Sequence, residues 1–226
     1  MINFQSYASG SSGNLHSISD GETTIMIECG IPWKKVQEFF GFQTSKVSAV
    51  VLSHEHKDHS GWVHHAAKAG IDVYLLPETR SAMVLNGHRY HEIDFKTTYQ
   101  IGTIKVRAFG LQHDVPICGF LFAAGGEKAI YITDSFYCKP KFPTLDLIAI
   151  ECNYSIETMA KDLNLERKKR LYSSHFSLEN VKRFLAGCDL SRTREIHLIH
   201  ISKENGDPEY FKAEIEKATG KPTSAK

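Results

Sequence analysis

Three histidines and two carboxylates fall within six positions of the segment VVLSHEHKDHSG, residues 50–61. The pattern His54-x-His56-x-Asp58-His59 directly follows an apolar, β-branched run that is typical of a buried strand. Alternate residues of an extended chain share a face, so His54 and His56 would point to the same side of the sheet rim. Gathering these side chains without compensation is costly, and a divalent metal ion offers full compensation. The pattern therefore favours a metal site over a solvated polar loop.

Two metal ions need more ligands than this segment supplies. Three candidates each lie at or just past the end of a predicted strand, namely His113, Asp134 and His200. Nitrogen and oxygen ligands suit zinc, manganese or iron. Of the 12 histidines, those in helical or turn settings are interpreted as surface or packing residues. These are His64, His65, His88 and His91, and no role is assigned to His16 or His197.

The elements that must position these side chains are short. Strand patterns recur at 23–30, 47–53, 71–76, 103–109, 119–125, 128–134, 145–152 and 195–202. Helical patterns lie between them at 32–40, 61–69, 79–85, 156–169, 177–187 and 208–219. Ser177 is predicted to cap the helix that follows it. Strands of the first half are seldom joined by a full helix, which predicts two sheets packed together rather than one parallel sheet.

Composition sets outer limits on the interpretation. A chain of 226 residues with 42% apolar content predicts one domain, over 1–220, and a frayed tail at 221–226. A net charge of +1 provides no overall field that attracts nucleic acid or a membrane, so any such contact must be a local patch. No signal peptide or membrane span is recognised, which predicts a cytoplasmic protein. The five widely spaced cysteines predict reduced thiols rather than a cysteine zinc site.

The order and spacing of the ligand candidates resemble the metallo-β-lactamase superfamily, whose signature is His-x-His-x-Asp-His, a later His, an Asp and a last His. The resemblance implies an α+β fold, the αββα sandwich, in which two mixed β-sheets are flanked by helices. It implies two divalent metal ions, Zn or Mn. It assigns one ion to His54, His56 and His113, the other to Asp58, His59 and His200, and a bridging role to Asp134. A hydroxide bridging the two metals would be the nucleophile, and Asp58 is counted with the catalytic residues as well.

Two further segments point to the kind of bond that is cleaved. LIAIECNY places Glu151 after an apolar strand, and SSHFSLEN places His175 just ahead of a helix N-terminus. They are similar to motifs of tRNase Z and the β-CASP nucleases, in which a glutamate orients a histidine near the leaving oxygen. A phosphodiester needs such an acid because its alkoxide leaving group has a high pKa. The resemblance thus implies that His175, oriented by Glu151, is the general acid, whereas an ordinary surface histidine is the alternative.

The full pattern looks closest to a small bacterial and phage branch often labelled YycJ or VicX. The matching segments are ASGSSGN, SHEHKDHSG, QHDVPICGF, ECNY, SSHFSLEN and HISKEN. Members of that branch are regarded as metal-dependent nucleases acting on DNA, and phage versions are associated with recombination genes. Two positions depart from the branch. Ser174 stands where glycine is more common, and Glu28 stands where relatives carry Asp, which we interpret as structural support under the metal loop.

Candidate substrate contacts lie in two polar stretches and beside Glu151. The Gly- and Ser-rich segment SYASGSSGN carries Ser12 and Asn14, which could cradle a phosphate or simply form a tight turn. A basic run precedes His175 and is typical either of phosphate contacts or of a solvated helix end. The candidates from this run and from ECNY are Arg167, Lys168, Arg170 and Asn153.

These features together predict a dinuclear metal-dependent phosphodiesterase, with DNA as its substrate and exonuclease cleavage. Only about 40 residues separate Asp134 from His175, too few for the large cap domain of the β-CASP enzymes. A long polymer must then be held by the core itself or by a homodimer that completes the groove. The alternatives are a phosphodiesterase for small substrates such as cyclic nucleotides, and a metal-stabilised binding module without activity.

Overall fold

The computed structural model describes residues 1–159 and 164–226, which form two mixed β-sheets with helices on their outer faces. The first sheet has six strands in spatial order β1 to β6. They are β1 (Asn3–Ala8), β2 (Leu15–Ser19), β3 (Thr24–Ile27), β4 (Ala49–Val51), β5 (Asp72–Leu75) and β6 (Tyr90–Glu92). Strands β1 to β3 pair antiparallel, and β3 to β6 pair parallel.

The second sheet has seven strands, in spatial order β13-β12-β11-β10-β9-β8-β7. They are β7 (Tyr99–Ile101), β8 (Ile104–Gly110), β9 (Cys118–Ala124), β10 (Glu127–Ile132), β11 (Leu147–Glu151), β12 (Glu195–Ile199) and β13 (Thr223–Ala225). Strands β7 to β10 pair antiparallel, and β10 to β13 pair parallel.

The helices are short and cover both sheets. They are α1 (Trp33–Phe39), α2 (Lys57–Ser60), α3 (Val63–Lys68), α4 (Pro77–Ala82), α5 (Leu165–Ser174), α6 (Leu178–Ala186) and α7 (Pro208–Thr219). Helices α1 and α3 pack on the first sheet, and α6 and α7 pack on the second. Ser177 caps α6, as predicted, because its side chain accepts the backbone N–H of Asn180. No helix among the described residues is long and apolar enough to cross a membrane.

Three apolar layers explain why the central strands are apolar nearly throughout. In β10, Ala129 and Tyr131 face the layer between the sheets, whereas Ile130 and Ile132 face the layer under α6 and α7. In β4, Val51 faces inward and Val50 packs under α1 and α3. Strands covered on both faces lose the polar alternation of a half-exposed strand. The predicted αββα sandwich is confirmed.

Each predicted strand overlaps an observed one, but the structure differs from the predictions at the C-terminus and at 156–169. The predicted tail at 221–226 is not frayed, because Thr223–Ala225 form β13 beside β12 and the Pro222 carbonyl accepts the N–H of Ile196. The predicted helix at 156–169 falls partly on residues 160–163, which lie outside the described residues. The helix in this region begins only at Leu165, because Asn164 caps it by accepting the N–H of Arg167, and it continues to Ser174.

Candidate metal centre

The loop after β4 is held in place by backbone contacts with two neighbouring segments. His56 precedes the one-turn helix α2, which carries Asp58 and His59. The Asp58 carbonyl accepts the N–H of Asn14 at 2.7 Å, and the His59 carbonyl accepts the N–H of Cys29 at 2.6 Å. A Cβ atom at Gly30 would lie 1.7 Å from the Asp58 carbonyl oxygen, so this close approach requires glycine.

Three overlapping groups of potential ligand atoms meet where β4, β8, β10, β11 and β12 end. The first cluster is His54, His56, His113 and Asp134, and the second cluster is Asp58, His59, Asp134 and His200. A third group, Asp134, Glu151, His175 and His200, overlaps the second cluster. Within each cluster the ligand atoms lie within 4.8 Å of one another. Asp134 belongs to both, since its Oδ2 lies 3.8 Å from His113 Nε2 and its Oδ1 lies 3.3 Å from His59 Nε2. All seven predicted ligands are therefore brought together, in the two groups that the resemblance implied.

Two of the ligands have a strained backbone. Asp134 and His200 follow β10 and β12 with φ of 42° and 52°, a left-handed conformation that costs energy for residues with a side chain. Side chains compensate part of this cost. Ser9 Oγ accepts the N–H of His200 at 2.7 Å, and the Asn153 amide donates to the His200 carbonyl at 2.9 Å.

A polar partner faces Nδ1 of four of the five ligand imidazoles. Nδ1 of His54 lies 2.8 Å from Ser53 Oγ, and Nδ1 of His113 donates to the Ser174 carbonyl at 3.1 Å. Nδ1 of His59 lies 3.4 Å from Glu28 Oε1, and Nδ1 of His200 lies 3.0 Å from Glu151 Oε1. These contacts leave Nε2 free to bind a metal ion. In metal-binding histidines the other ring nitrogen usually forms such a hydrogen bond with the protein.

Unpartnered nitrogens show that the residues fit a metal ion. Nε2 of His54 and Nε2 of His200 are buried, and neither has a hydrogen-bond partner among the described residues. Buried polar atoms without partners are uncommon because they lose the hydrogen bonds of water. A divalent cation between the clustered nitrogens and carboxylates would satisfy both.

The protonation of the imidazoles follows their surroundings. Burial lowers the pKa of His54 well below its usual value, and burial also lowers the pKa of His113, so both rings are in the neutral form that binds metals. Burial opposes a charge on His200 as well, but the nearby carboxylates of Asp134, Asp58 and Glu151 outweigh burial and raise the pKa of His200 to about 10. Metal binding at the second cluster is therefore expected to release protons.

Glu151 joins the metal centre to His175. Its carboxylate is fully buried, and Oε1 accepts from Nδ1 of His175 at 2.6 Å while lying 3.0 Å from Nδ1 of His200. Oε2 accepts the backbone N–H groups of Ser135 and Phe176. Burial alone would lower the pKa of His175, but the Glu151 charge outweighs burial and raises it. The sequence did not predict that His175 also follows the last residue of α5, at the C-terminal end of that helix. The free carbonyl groups at a helix C-terminus stabilise a positively charged side chain.

A cleft of about 330 Å³ opens beside His175 and His200. Of the predicted substrate contacts, Asn153, Arg167 and Arg170 line this cleft. Ser12 and Lys168 do not, and the neighbouring Ser11 lines it instead. Asn14 is 1% exposed, and its amide donates to the Asp58 carbonyl, so the structure places it under the metal loop and away from a substrate.

Several contributors to the centre carry no sequence signal of their own. The Ser174 carbonyl and the Ser53 hydroxyl orient ligands, yet serine at such positions is unremarkable. Glu28 is fully buried, and its Oε2 accepts the N–H of Ser53, so the predicted support under the metal loop is confirmed. None of His64, His65, His88 and His91 joins a ligand cluster in the described part of the chain.

Comparison with known proteins identifies the family of this chain and several relatives. The chain matches the family described as Beta-lactamase superfamily domain over residues 23–201. It is 28% identical over 217 residues to exodeoxyribonuclease WalJ of Streptococcus pneumoniae, covering 88% of this chain and 81% of that protein. It is 26% identical over 234 residues to exodeoxyribonuclease YycJ of Bacillus anthracis, covering 95% and 88%.

A solved structure shares the architecture over the whole chain. The metallo-beta-lactamase fold protein YhfI from Bacillus subtilis has a TM-score of 0.79 at 16% identity, covering 100% of this chain and 96% of that one. Similarity at this identity concerns the fold alone. Together with the family match over residues 23–201, it shows that the chain belongs to the beta-lactamase superfamily and has the metallo-β-lactamase fold.

Proposed function

We propose that this protein is a metal-dependent phosphodiesterase that degrades DNA as an exonuclease. The observation that carries the proposal is the contact of Glu151 with both His175 and His200, beside a cleft lined by Arg167 and Arg170. Through Glu151, the proposed acid His175 is connected to the metal ligand His200. The two arginines add guanidinium groups that can bind phosphate. The exodeoxyribonuclease names of WalJ and YycJ support DNA as the substrate.

The ligand clusters would hold divalent ions, for which we propose zinc or manganese. His54, His56, His113 and Asp134 would hold one, and Asp58, His59, Asp134 and His200 the other. When bound, such ions supply an activated water and polarise the scissile phosphate. Glu28 and Glu151 keep His59 and His200 turned toward the centre.

His175 has the geometry of a general acid. Glu151 occupies Nδ1 of its ring, so Nε2 is the nitrogen that can give a proton to a substrate. A DNA alkoxide has a high pKa, and protonation at the leaving oxygen removes that obstacle. Because Glu151 raises the pKa of His175, more of the ring carries the required proton at neutral pH than in a free histidine.

The size of the cleft favours a chain end or a small substrate. A space of about 330 Å³ is at the lower end of ligand pockets. It would take one terminal part of a strand, which supports exonuclease cleavage. The same volume supports the second candidate, a phosphodiesterase for cyclic nucleotides. A binding module without activity is the weaker reading, since the full ligand set and His175 are all present.

A digestion series tests the proposal directly. Purified protein is incubated with Mn²⁺ or Zn²⁺ and with single- or double-stranded oligonucleotides labelled at either end, beside cyclic mononucleotides. We expect chelator-sensitive, stepwise shortening of DNA by the parent chain and none by His175→Ala. Turnover of cyclic nucleotides without DNA cleavage would favour the second candidate, and no cleavage of any substrate with any metal would overturn the phosphodiesterase proposal.

A further inference from the structure

We propose that Asp114 is a positioning residue for His56 and that it sets the metal affinity of the first cluster. This inference rests on the metal centre of the proposed function. Asp114 follows His113 in the loop between β8 and β9, with a side chain 45% exposed, and it belongs to neither ligand cluster. Its Oδ1 lies 3.4 Å from Nε2 of His56 and 3.1 Å from Nε2 of His113.

His56 is turned differently from the other ligand imidazoles. Its Nδ1 lies 3.3 Å from Nε2 of His113, so Nδ1 is the nitrogen inside the first cluster. Nε2 therefore points outward and needs an acceptor that keeps the proton there. Asp114 is the carboxylate that faces this nitrogen among the described residues. The other four rings have a hydroxyl, a carbonyl or a buried carboxylate in the equivalent place.

Asp114 cannot accept a proton from neutral His113. Nδ1 of His113 donates to the Ser174 carbonyl, an acceptor only, so Nε2 of the neutral ring carries a lone pair. Two acceptor atoms 3.1 Å apart repel each other unless a cation lies nearby. Asp114 therefore makes two separable contributions: an acceptor for His56 and a negative charge beside the cation position at His113.

The two clusters differ in how deeply their supporting carboxylates are buried. Glu28 and Glu151, which back His59 and His200, are fully buried. The second cluster also contains Asp58 in addition to the shared Asp134. Charges in a buried setting attract a cation more strongly and are screened less by salt than exposed ones. We therefore expect the second cluster to bind its ion more tightly, and the first cluster to be the weaker position that depends on Asp114.

Calorimetry of metal binding tests this without measuring catalysis. Chelator-stripped protein is titrated with Zn²⁺ in the presence of a competing chelator, for the parent, Asp114→Ala and Asp114→Asn. We expect two binding steps in the parent. In Asp114→Ala the weaker step loses affinity by about 10- to 100-fold, the usual effect of removing an outer partner of a ligand, and the stronger step is unchanged. Asp114→Asn, which retains an acceptor oxygen but no charge, should fall between the two.

Glu55→Gln is the matched control. Glu55 lies between His54 and His56 in the chain, and it belongs to no ligand cluster among the described residues. The substitution removes one negative charge beside a ligand of the first cluster, as Asp114→Asn does, but from the loop after β4. Both binding steps should therefore remain those of the parent. Long-range ¹H–¹⁵N spectra of the zinc-loaded parent should show the His56 proton on Nε2, and Asp114→Ala should speed its exchange with water.

The outcomes separate this inference from the proposed function. If Asp114→Ala binds both ions as the parent does, or loses only the stronger step, the role of Asp114 is overturned. Circular dichroism shows whether each variant folds. If Asp114→Ala does not fold, the metal titration of Asp114→Asn tests the role of Asp114 instead. Two normal binding steps without DNA cleavage would instead overturn only the nuclease proposal.

Discussion

Oε1 of Glu151 lies 2.6 Å from Nδ1 of His175, and the same oxygen lies 3.0 Å from Nδ1 of the ligand His200. One fully buried carboxylate thus orients two imidazoles, the proposed acid His175 and the metal ligand His200. The backbone N–H groups on its other oxygen keep Glu151 itself fixed. Rotation of the Glu151 side chain would break its contacts with His175 and with His200. Glu151 therefore fixes the position of the proposed acid relative to the metal centre.

Replacing His175 with alanine should remove turnover but not metal binding. His175 is outside the two clusters formed by the seven predicted ligands, although it makes a third group with Asp134, Glu151 and His200. Its Nδ1 is occupied by Glu151, so we expect the metal content of His175→Ala to equal that of the parent. Loss of a general acid should lower kcat on DNA by about 10²- to 10⁴-fold. A nitrophenyl phosphodiester needs little proton donation, so its hydrolysis should fall much less. Equal losses on both substrates would contradict the assignment of His175 as the acid.

The pH profile should carry the same information. Glu151 raises the pKa of His175 above its usual value near 6.5, against the opposing effect of burial. The protonated ring is the active form of an acid, so kcat/KM on DNA should be highest below the raised pKa and fall as the pH rises through it. The nitrophenyl substrate should lack this alkaline limb, as should His175→Ala on DNA. If kcat/KM of His175→Ala on DNA still falls at alkaline pH, a group other than His175 causes that fall.

Asp134 should be essential for metal binding and sensitive to backbone strain. Asp134→Ala and Asp134→Asn both remove the shared charge, so elemental analysis should find both depleted of metal. Alanine also tolerates the φ of 42° poorly, whereas asparagine adopts left-handed conformations more readily. Chelator-treated Asp134→Ala should therefore unfold with about 1 kcal/mol less stability than Asp134→Asn. Equal denaturant midpoints for the two variants would show that the strain has no such cost.

The fold and the ligands could be predicted from sequence because both depend on local patterns. Strands β4 and β10 are covered on both faces, so their apolar runs are continuous and the polar residues that follow stand out. The sequence did not predict five short strands, which are β1, β2, β6, β7 and β13. In β1 the inward position Ser6 is polar and contacts His16 Nδ1, which hides the alternation. The start of α5 depended on a single cap at Asn164.

The outer partners of the ligands could not be predicted in this way. The contact between His113 and the Ser174 carbonyl joins a side chain to a backbone atom 61 residues away. Any residue at position 174 would offer that carbonyl, so no residue type marks it. Asp114 has an ordinary carboxylate at a loop position, and only its distances to His56 and His113 distinguish it. Such roles arise from tertiary packing and become visible only in three dimensions.

The two cleft arginines should contribute to DNA binding more than the lysines beside them. Arg167 and Arg170 line the cleft next to His175, whereas Lys168 and Lys169 lie on the same helix and do not. Both arginines line the cleft, so we expect their guanidinium groups to contact phosphate. Arg167→Ala with Arg170→Ala should therefore raise KM for DNA, and Lys168→Ala with Lys169→Ala removes the same charge as a control.

Salt dependence distinguishes direct phosphate contact from a general loss of positive charge. Each lost contact should reduce the slope of log affinity against log salt by about 0.7 to 0.9, so the double arginine variant should lose about twice that. The lysine pair lies outside the cleft and should change the slope by less than one contact. Fluorescence anisotropy with a labelled oligonucleotide and His175→Ala as the background measures binding without cleavage. Equal slopes for the two double variants would mean that DNA follows the helix surface rather than the cleft.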